Sequence, residues 1–364
     1  MSKKIKHGLL VKAGVAVSVI ALSLGLVAPA NAANITGNGS SAVKNFLDAC
    51  IPVWSKWSSH NLSYPGGGSG AGRSALTAGT VDLAFSDTPY SATEAKPAHF
   101  AYIPASIFPI AIYANLPGFK GTLRLSPETV SGIFAGKITK WNDAAIVADN
   151  TVVNAKTKKK VVTALPNLDI TVYYRFDRSG TSEIFTDWLN QLVPSVWTKP
   201  KSGTFTSAFP GTVPAGTFQS GNQSDGLANG VASKAGAIGY GEVSYATERK
   251  MVVAQLKNNS GEFVAPTSNA ASVFANGYIP GTTPGVITLD YKKAIKRSYS
   301  LTGFAYGLAY TAGANKNIGT QAVVKQFMDY VVNECATEQA AKLGYAKLSG
   351  SLLKLAEDQI ALIK

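Results

Sequence analysis

The chain has 364 residues, a net charge of +13, 46% hydrophobic residues and only 15% charged ones. That balance excludes a disordered or fibrous chain and leaves enough apolar material for two ordinary domains. Three histidines and two cysteines, with no His-Glu-x-x-His, Cys-x-x-Cys or Gly-x-Ser-x-Gly, offer no visible zinc site or Ser-His-Asp triad.

The chain begins with an address. Lys3, Lys4 and Lys6 precede an apolar run from about Ala13 to Val27, and Ala30-Asn31-Ala32 fits the small-x-small cleavage pattern. Residues 1–32 therefore read as a secretory signal peptide. An uncleaved anchor is the competing reading, although the run is short for a span. No cysteine stands at the cleavage site to take a lipid, and no later stretch is apolar enough to cross a bilayer. The mature chain is expected to be exported and soluble. The leader removes Lys3, Lys4, Lys6 and Lys12, so +13 becomes +9.

Ile35 to Ser41 reads as a short strand running into a polar turn, followed by a helix from about Ala42 to Trp57. Val43, Phe46, Leu47, Cys50, Val53, Trp54 and Trp57 stand near helical spacing on its inner face. Ser40 and Ser41 thus sit where a helix begins. A short strand, Asn61 to Tyr64, leads into Gly66-Gly67-Gly68-Ser69-Gly70-Ala71-Gly72, with a helix predicted from Ser74 to Thr80. Glycine lets backbone N–H groups approach a ligand, and a helix start adds unpaired donors and the positive end of its dipole. Such a loop is an anion site; the competing reading is a flexible linker. Val81 to Asp87 looks like a buried strand ending in an acid, and Ala101 to Tyr113 is another apolar run. Gly66-x-Gly68-x-x-Ala71 also meets a relaxed dinucleotide fingerprint, with Asp87 near the distance for a ribose. The short intervening helix and the export signal argue against that reading.

Ser126 caps a helix with Pro127 at its first position and Gly136 past its end. Lys156-Thr157-Lys158-Lys159-Lys160 lies between Val/Thr-rich runs and reads as an exposed hairpin tip; no nucleic-acid motif accompanies it. Ile170 to Arg175 is a clear strand. It runs through Asp177 into Ser179-Gly180-Thr181, which opens a helix to about Leu192. Arginine supplies a forked pair of charged donors, so this is a second anion cradle. Ser202 to Ser224, rich in Gly, Ser, Thr and Pro, reads as loop. Cys50 and Cys335 lie in helix-like segments far apart in the chain; a disulfide and two separately buried thiols both fit. The alternation of strands and helices predicts an α/β fold.

The combination resembles the phosphate-binding proteins of bacterial phosphate ABC transporters, from Ile35 nearly to the end. The most specific pieces are Gly68-Ser69-Gly70, Val81-Asp82 with Ser86-Asp87, and Ile133-Phe134 through Trp141-Asn142-Asp143. To these add Arg175 with Ser179-Gly180-Thr181-Ser182, Gly236 to Tyr240, and Gly344-Tyr345. The resemblance implies a two-lobed, type II periplasmic-binding-protein fold, with two mixed-sheet domains joined by two crossover strands. The crossovers would lie near Phe108 to Ala114 and Tyr299 to Tyr310. Lobe 1 would be discontinuous, residues 33–112 plus 299–364, and lobe 2 residues 113–298. The implied function is binding of inorganic phosphate in the interlobe cleft and delivery to the permease subunits of an importer. It is a function without catalysis, metal or cofactor, carried out by a monomer in the periplasm or at the cell surface of a bacterium.

Carried onto this sequence, Ser41, the Ala42 amide, Ser69, Arg175, Ser179, Gly180 and Thr181 would donate to the anion. Asp87 would accept its proton, and Asp177 would hold Arg175. The family usually has Phe-Pro after the first hydroxyl, where this chain has Ala42-Val43, so Ser40 is an alternative to Ser41. An exported phosphatase, or a receptor for sulfate or molybdate, would fit the same scaffold.

Overall fold

A computed structural model describes residues 32–153, 156–311 and 318–364. The expected signal peptide, apart from Ala32, lies outside them. Among the described residues no helix is long and apolar enough to cross a membrane.

The main-sheet strands are β1 (Asn34–Gly39), β2 (Asn61–Ser63), β3 (Leu83–Ser86), β4 (Phe100–Ala114), β5 (Thr171–Arg175), β6 (Phe218–Gly221), β7 (Ala237–Glu242) and β8 (Thr302–Tyr310). The principal helices are α1 (Lys44–Ser58), α2 (Ser69–Ala78), α3 (Pro127–Phe134), α4 (Gly180–Leu192), α5 (Gln223–Ser233) and α6 (Gln321–Tyr330). The strands follow the order β2-β1-β3-β8-β4-β7-β5-β6.

β4 and β8 organise this path. β8 is buried at every position and β4 at all but its first residue, as expected of strands covered on both faces. Along its first part, to Pro109, β4 pairs antiparallel with β8. From Ile110 to Ala114 it pairs antiparallel with β7. On one side, β1 pairs parallel with β2 and β3; on the other, β5 pairs parallel with β7 and β6.

The register brings the carboxyl ends of the two parallel wings together. Ser86, the last residue of β3, is level with Tyr306, which is level with Pro104 of β4. Glu242, the last residue of β7, is paired with Ile110 of β4. Open α/β sheets bind ligands outside such strand ends. The loops leaving β1, β3, β5, β6 and β7 all open toward this region.

Three local expectations change. α2 begins at Ser69, not Ser74, so half of the glycine-rich segment is helix. Glycine is a poor helix former, but here close packing decides: a Cβ at residue 72 would stand 2.4 Å from the Cα of Gly39. Ser202 to Ser224, read as loop, contains a short helix (Phe205–Ala208), the edge strand β6 and the start of α5. Phe205 and Phe209 pack on Trp197 there, and that aromatic contact outweighs the turn-rich composition. On α1, Phe46, Leu47, Cys50 and Trp54 are buried as expected, but Val53 and Trp57 are 43% and 50% exposed. They sit at the margin of a face already filled by Trp54 against Phe327.

Cys50 and Cys335 form a disulfide, which decides the alternative left open above. It ties α1 to the C-terminal helical run Val331–Ala340. The Lys-rich segment joins two antiparallel strands, Thr151–Val153 and Lys160–Val162, as expected; residues 154 and 155 lie outside the described set.

Candidate functional site

The N-terminal wing contributes three segments. β1 ends at Gly39, whose φ of +132° and approach to Phe85 only glycine tolerates: a Cβ would lie 2.0 Å from the Phe85 carbonyl oxygen. The chain then turns through Ser40 and Ser41 into α1. The Ser40 hydroxyl bonds Oδ1 of Asp87, the residue that follows β3. The Asp87 amide in turn donates to Oγ of Ser69, at the start of α2, over 3.1 Å.

The other wing supplies the positive charge. Arg175 ends β5 and is buried. Its Nε donates to Asp177 Oδ1 at 2.7 Å, a second bond links Nη2 to Oδ2, and Nη1 reaches Ser224 Oγ at 3.2 Å. Ser179 caps α4, its Oγ accepting from the Ser182 amide at 3.1 Å. Gly180 follows at a point with no room for a side chain: a Cβ would stand 2.6 Å from Ser69 Oγ and 2.7 Å from Asp87 Cβ. Thr181 Oγ1 lies 3.0 Å from Asp87 Oδ2 and 3.2 Å from Glu242 Oε1.

These contacts close into a ring. In the ring Ser40 leads through Asp87 and Thr181 to Glu242, Ser224 lies beside Glu242, and Arg175 bonds Ser224. Ser41 joins it at Ser224, with Oγ to Oγ at 3.1 Å and the Ser224 amide donating to Ser41 Oγ at 3.0 Å. Every residue named in the ring is buried. Outside it the wings are latched. The Gly70 amide donates to the Arg178 carbonyl at 3.0 Å, Thr88 Oγ1 donates to Glu183 Oε2 at 3.0 Å, and Arg178 pairs with Glu94. A cavity of about 250 Å³ borders the ring at Asp87 and is lined further by Thr88, Glu183, Asp187, Lys201 and Tyr291.

The electrostatics follow from burial. Burial works against the charge on Arg175, but the hydrogen bonds and charge of Asp177 outweigh it, so the guanidinium stays ionised. Burial pushes the Asp87 carboxyl up, against the hydrogen bonds from Ser40 and Thr181 and the charge of Arg175. Glu242 is pushed up to about 7 by burial first and the nearby Asp87 second.

The structure brings together Ser41, Ala42, Ser69, Asp87, Arg175, Asp177, Ser179, Gly180 and Thr181, all predicted from the sequence. Ser40 and Ser41 both belong here, one on Asp87 and one on Ser224. The Ala42 amide donates to Ser40 Oγ at 3.1 Å. Sequence reasoning missed Ser224 and Glu242. Ser224 was hidden in a segment read as loop. Glu242 carried the signal that singled out Asp87, an acid closing a buried strand, two residues after Gly236 to Tyr240. Among the described residues no group of three or more His, Cys, Asp or Glu is placed to hold a metal ion.

A family model described as a PBP superfamily domain matches residues 27–334. The chain belongs to this superfamily. Within it, the chain is PstS-like. It is 29% identical over 350 residues to the phosphate-binding protein PstS of Haemophilus influenzae, covering 94% of this chain and 97% of that one. In structure it is similar to PfluDING, a high affinity periplasmic phosphate-binding protein solved with phosphate bound (TM-score 0.67, 20% identity, 89% of this chain and 93% of that one). It is also similar to a phosphate binding protein from Stenotrophomonas maltophilia (TM-score 0.66, 21% identity, 89% and 93%). At such identities the likeness carries the fold. This PBP-superfamily chain has the two-lobed, type II architecture expected from its sequence.

Proposed function

We propose that the ring binds inorganic phosphate and that the protein is the exported receptor that delivers it to the permease subunits of an ABC-type importer. The observation that carries this reading is Asp87. A buried carboxylate sits among hydroxyl donors, opposite a guanidinium that Asp177 holds in place. Phosphate near neutral pH keeps a proton and can donate it to Asp87. Fully ionised sulfate has none to give and would leave that carboxylate unpaired, at a cost of about 3–5 kcal/mol. Ser41 or Ser40, the Ala42 amide, Ser69, Ser179, Gly180 and Thr181 supply donors to the remaining oxygens.

In this reading residues 33–112 with 299–364 move as one lobe and residues 113–298 as the other. β4 and β8 are the hinge, and the Gly70–Arg178 and Thr88–Glu183 contacts latch the closed state. Closure excludes water and strengthens each hydrogen bond to the anion. The protein acts by binding and release, without turnover.

Calorimetry on refolded, ligand-free protein tests the reading. Phosphate binds tightly, sulfate and molybdate bind far more weakly, and a chromogenic phosphate ester is not hydrolysed. Equal binding of sulfate would contradict the role of Asp87, and hydrolysis of the ester would contradict a function limited to transport.

A further inference from the structure

Glu242 has no place in the mechanism so far, yet it is buried beside Asp87. Its Oε1 faces Thr181 Oγ1 at 3.2 Å, and among the described residues its Oε2 has no hydrogen-bond partner. A buried, unpartnered carboxylate oxygen is costly unless something fills the gap. Thr181 cannot satisfy both acids, because a hydroxyl has one hydrogen and Asp87 Oδ2 lies closer, at 3.0 Å. The charged groups facing Glu242 are Asp87 and Arg175, and Arg175 is already committed to Asp177. Around it stand the phenols of Tyr113, Tyr245 and Tyr345, all pushed well above their ordinary range by burial and so neutral. An anion entering this site with both carboxylates ionised would meet two negative charges at close range.

We propose, resting on the phosphate reading above, that Glu242 is a second proton-sharing carboxyl: in the occupied site Asp87 and Glu242 each share one proton with a different oxygen of the same anion. With a single acid, dibasic phosphate brings all the protons required. With two, the complex needs one more, and above neutral pH it comes from the solvent. Binding of dibasic phosphate at about pH 8 therefore takes up a proton. The proton adds to the anion–carboxyl pair, and no bond to phosphorus changes. Burial supports the direction: a carboxyl that titrates near about 7 is largely ionised at that pH in the free protein and regains its proton when the anion arrives.

The test is calorimetry of inorganic phosphate at about pH 8, in two phosphate-free buffers of different ionisation enthalpy, with the mature chain and with Glu242→Gln. The wild type is expected to take up close to one proton per phosphate bound. Glu242→Gln, whose amide can still donate to the anion, is expected to take up little or none, and its affinity to lose most of its rise toward acid pH. Equal uptake in the two proteins overturns the proposal. Uptake near zero in the wild type also overturns it, and needs no variant to fold. Absence of any binding heat with phosphate contradicts the phosphate reading itself, whereas heat without Glu242-dependent uptake contradicts only the role of Glu242.

Discussion

Thr181 Oγ1 lies 3.0 Å from Asp87 Oδ2, a contact between residues 94 positions apart that joins the start of α4 to the end of β3. It is the shortest statement of how this protein makes a site. In the proposed phosphate site neither wing alone supplies a complete anion shell. The first gives hydroxyls, a helix start and an acid, and the second gives a clamped guanidinium and another helix start. The register of β8, β4 and β7 sets the two against each other.

Asp87→Asn removes the acceptor that favours a protonated anion and replaces it with an amide that can donate. Affinity for phosphate is expected to fall modestly, while discrimination against sulfate narrows by roughly a hundredfold or more, on the order of the 3–5 kcal/mol that an unpaired buried carboxylate costs. Competition calorimetry with the two anions measures this; selectivity equal to wild type would remove Asp87 from its role.

Gly180→Ala puts a methyl group where there is no room, 2.6 Å from Ser69 Oγ and 2.7 Å from Asp87 Cβ. Both neighbours belong to the opposite wing, so the strain opposes closure more than folding. Overpacking of this kind costs about 1–3 kcal/mol. Phosphate should dissociate roughly ten- to a hundredfold faster with little change in melting temperature of the ligand-free protein. Stopped-flow release and thermal unfolding separate the two effects.

Cys50→Ser with Cys335→Ser removes a crosslink that closes most of the mature chain into one loop. The expected loss is about 2–4 kcal/mol of stability, through greater freedom of the unfolded chain. Cys50 lies well inside α1, away from Ser41 and Ala42 at its start, so phosphate affinity at room temperature should be retained. Denaturant unfolding under oxidising and reducing conditions gives the first quantity, and titration gives the second.

The pH dependence of stability has a defined sign. In the unfolded chain Glu242 titrates near 4.5; in the ligand-free fold it is pushed up to about 7. Below that window both states hold the proton, and within it only the folded state does. Stability therefore falls as pH rises from about 4.5 to about 7, by up to roughly 3 kcal/mol, and then levels off. The raised Asp87 carboxyl acts in the same direction. Chemical denaturation across that range should show a shallower fall for Glu242→Gln than for the wild type.

Much of this arrangement was legible in the residues. Asp87 and Arg175 announced themselves by standing at the ends of apolar strands, Ser69 by lying in a glycine-rich loop ahead of a helix, and Ser179 by opening a helix after a polar turn. What could not be read was contact between segments. α2 starts at Ser69 because Gly72 packs on Gly39, a tertiary contact that overrides local propensity. Phe218 to Gly221 is a strand because β5 offers an edge, despite the surrounding Gly, Ser and Pro. Ser224 reaches Arg175 only through that strand. Glu242 was visible as an acid, but its significance depends on Thr181 lying between it and Asp87.

The central claim is that one tetrahedral anion is held between Asp87 and Arg175. Titration of orthophosphate into ligand-free wild type and Arg175→Ala, followed by calorimetry, tests it most directly. Loss of the guanidinium leaves Asp177 and the anion without their shared partner, so affinity should drop by about 3–5 kcal/mol, more than a hundredfold. Binding of phosphate by the variant with wild-type affinity would contradict the account.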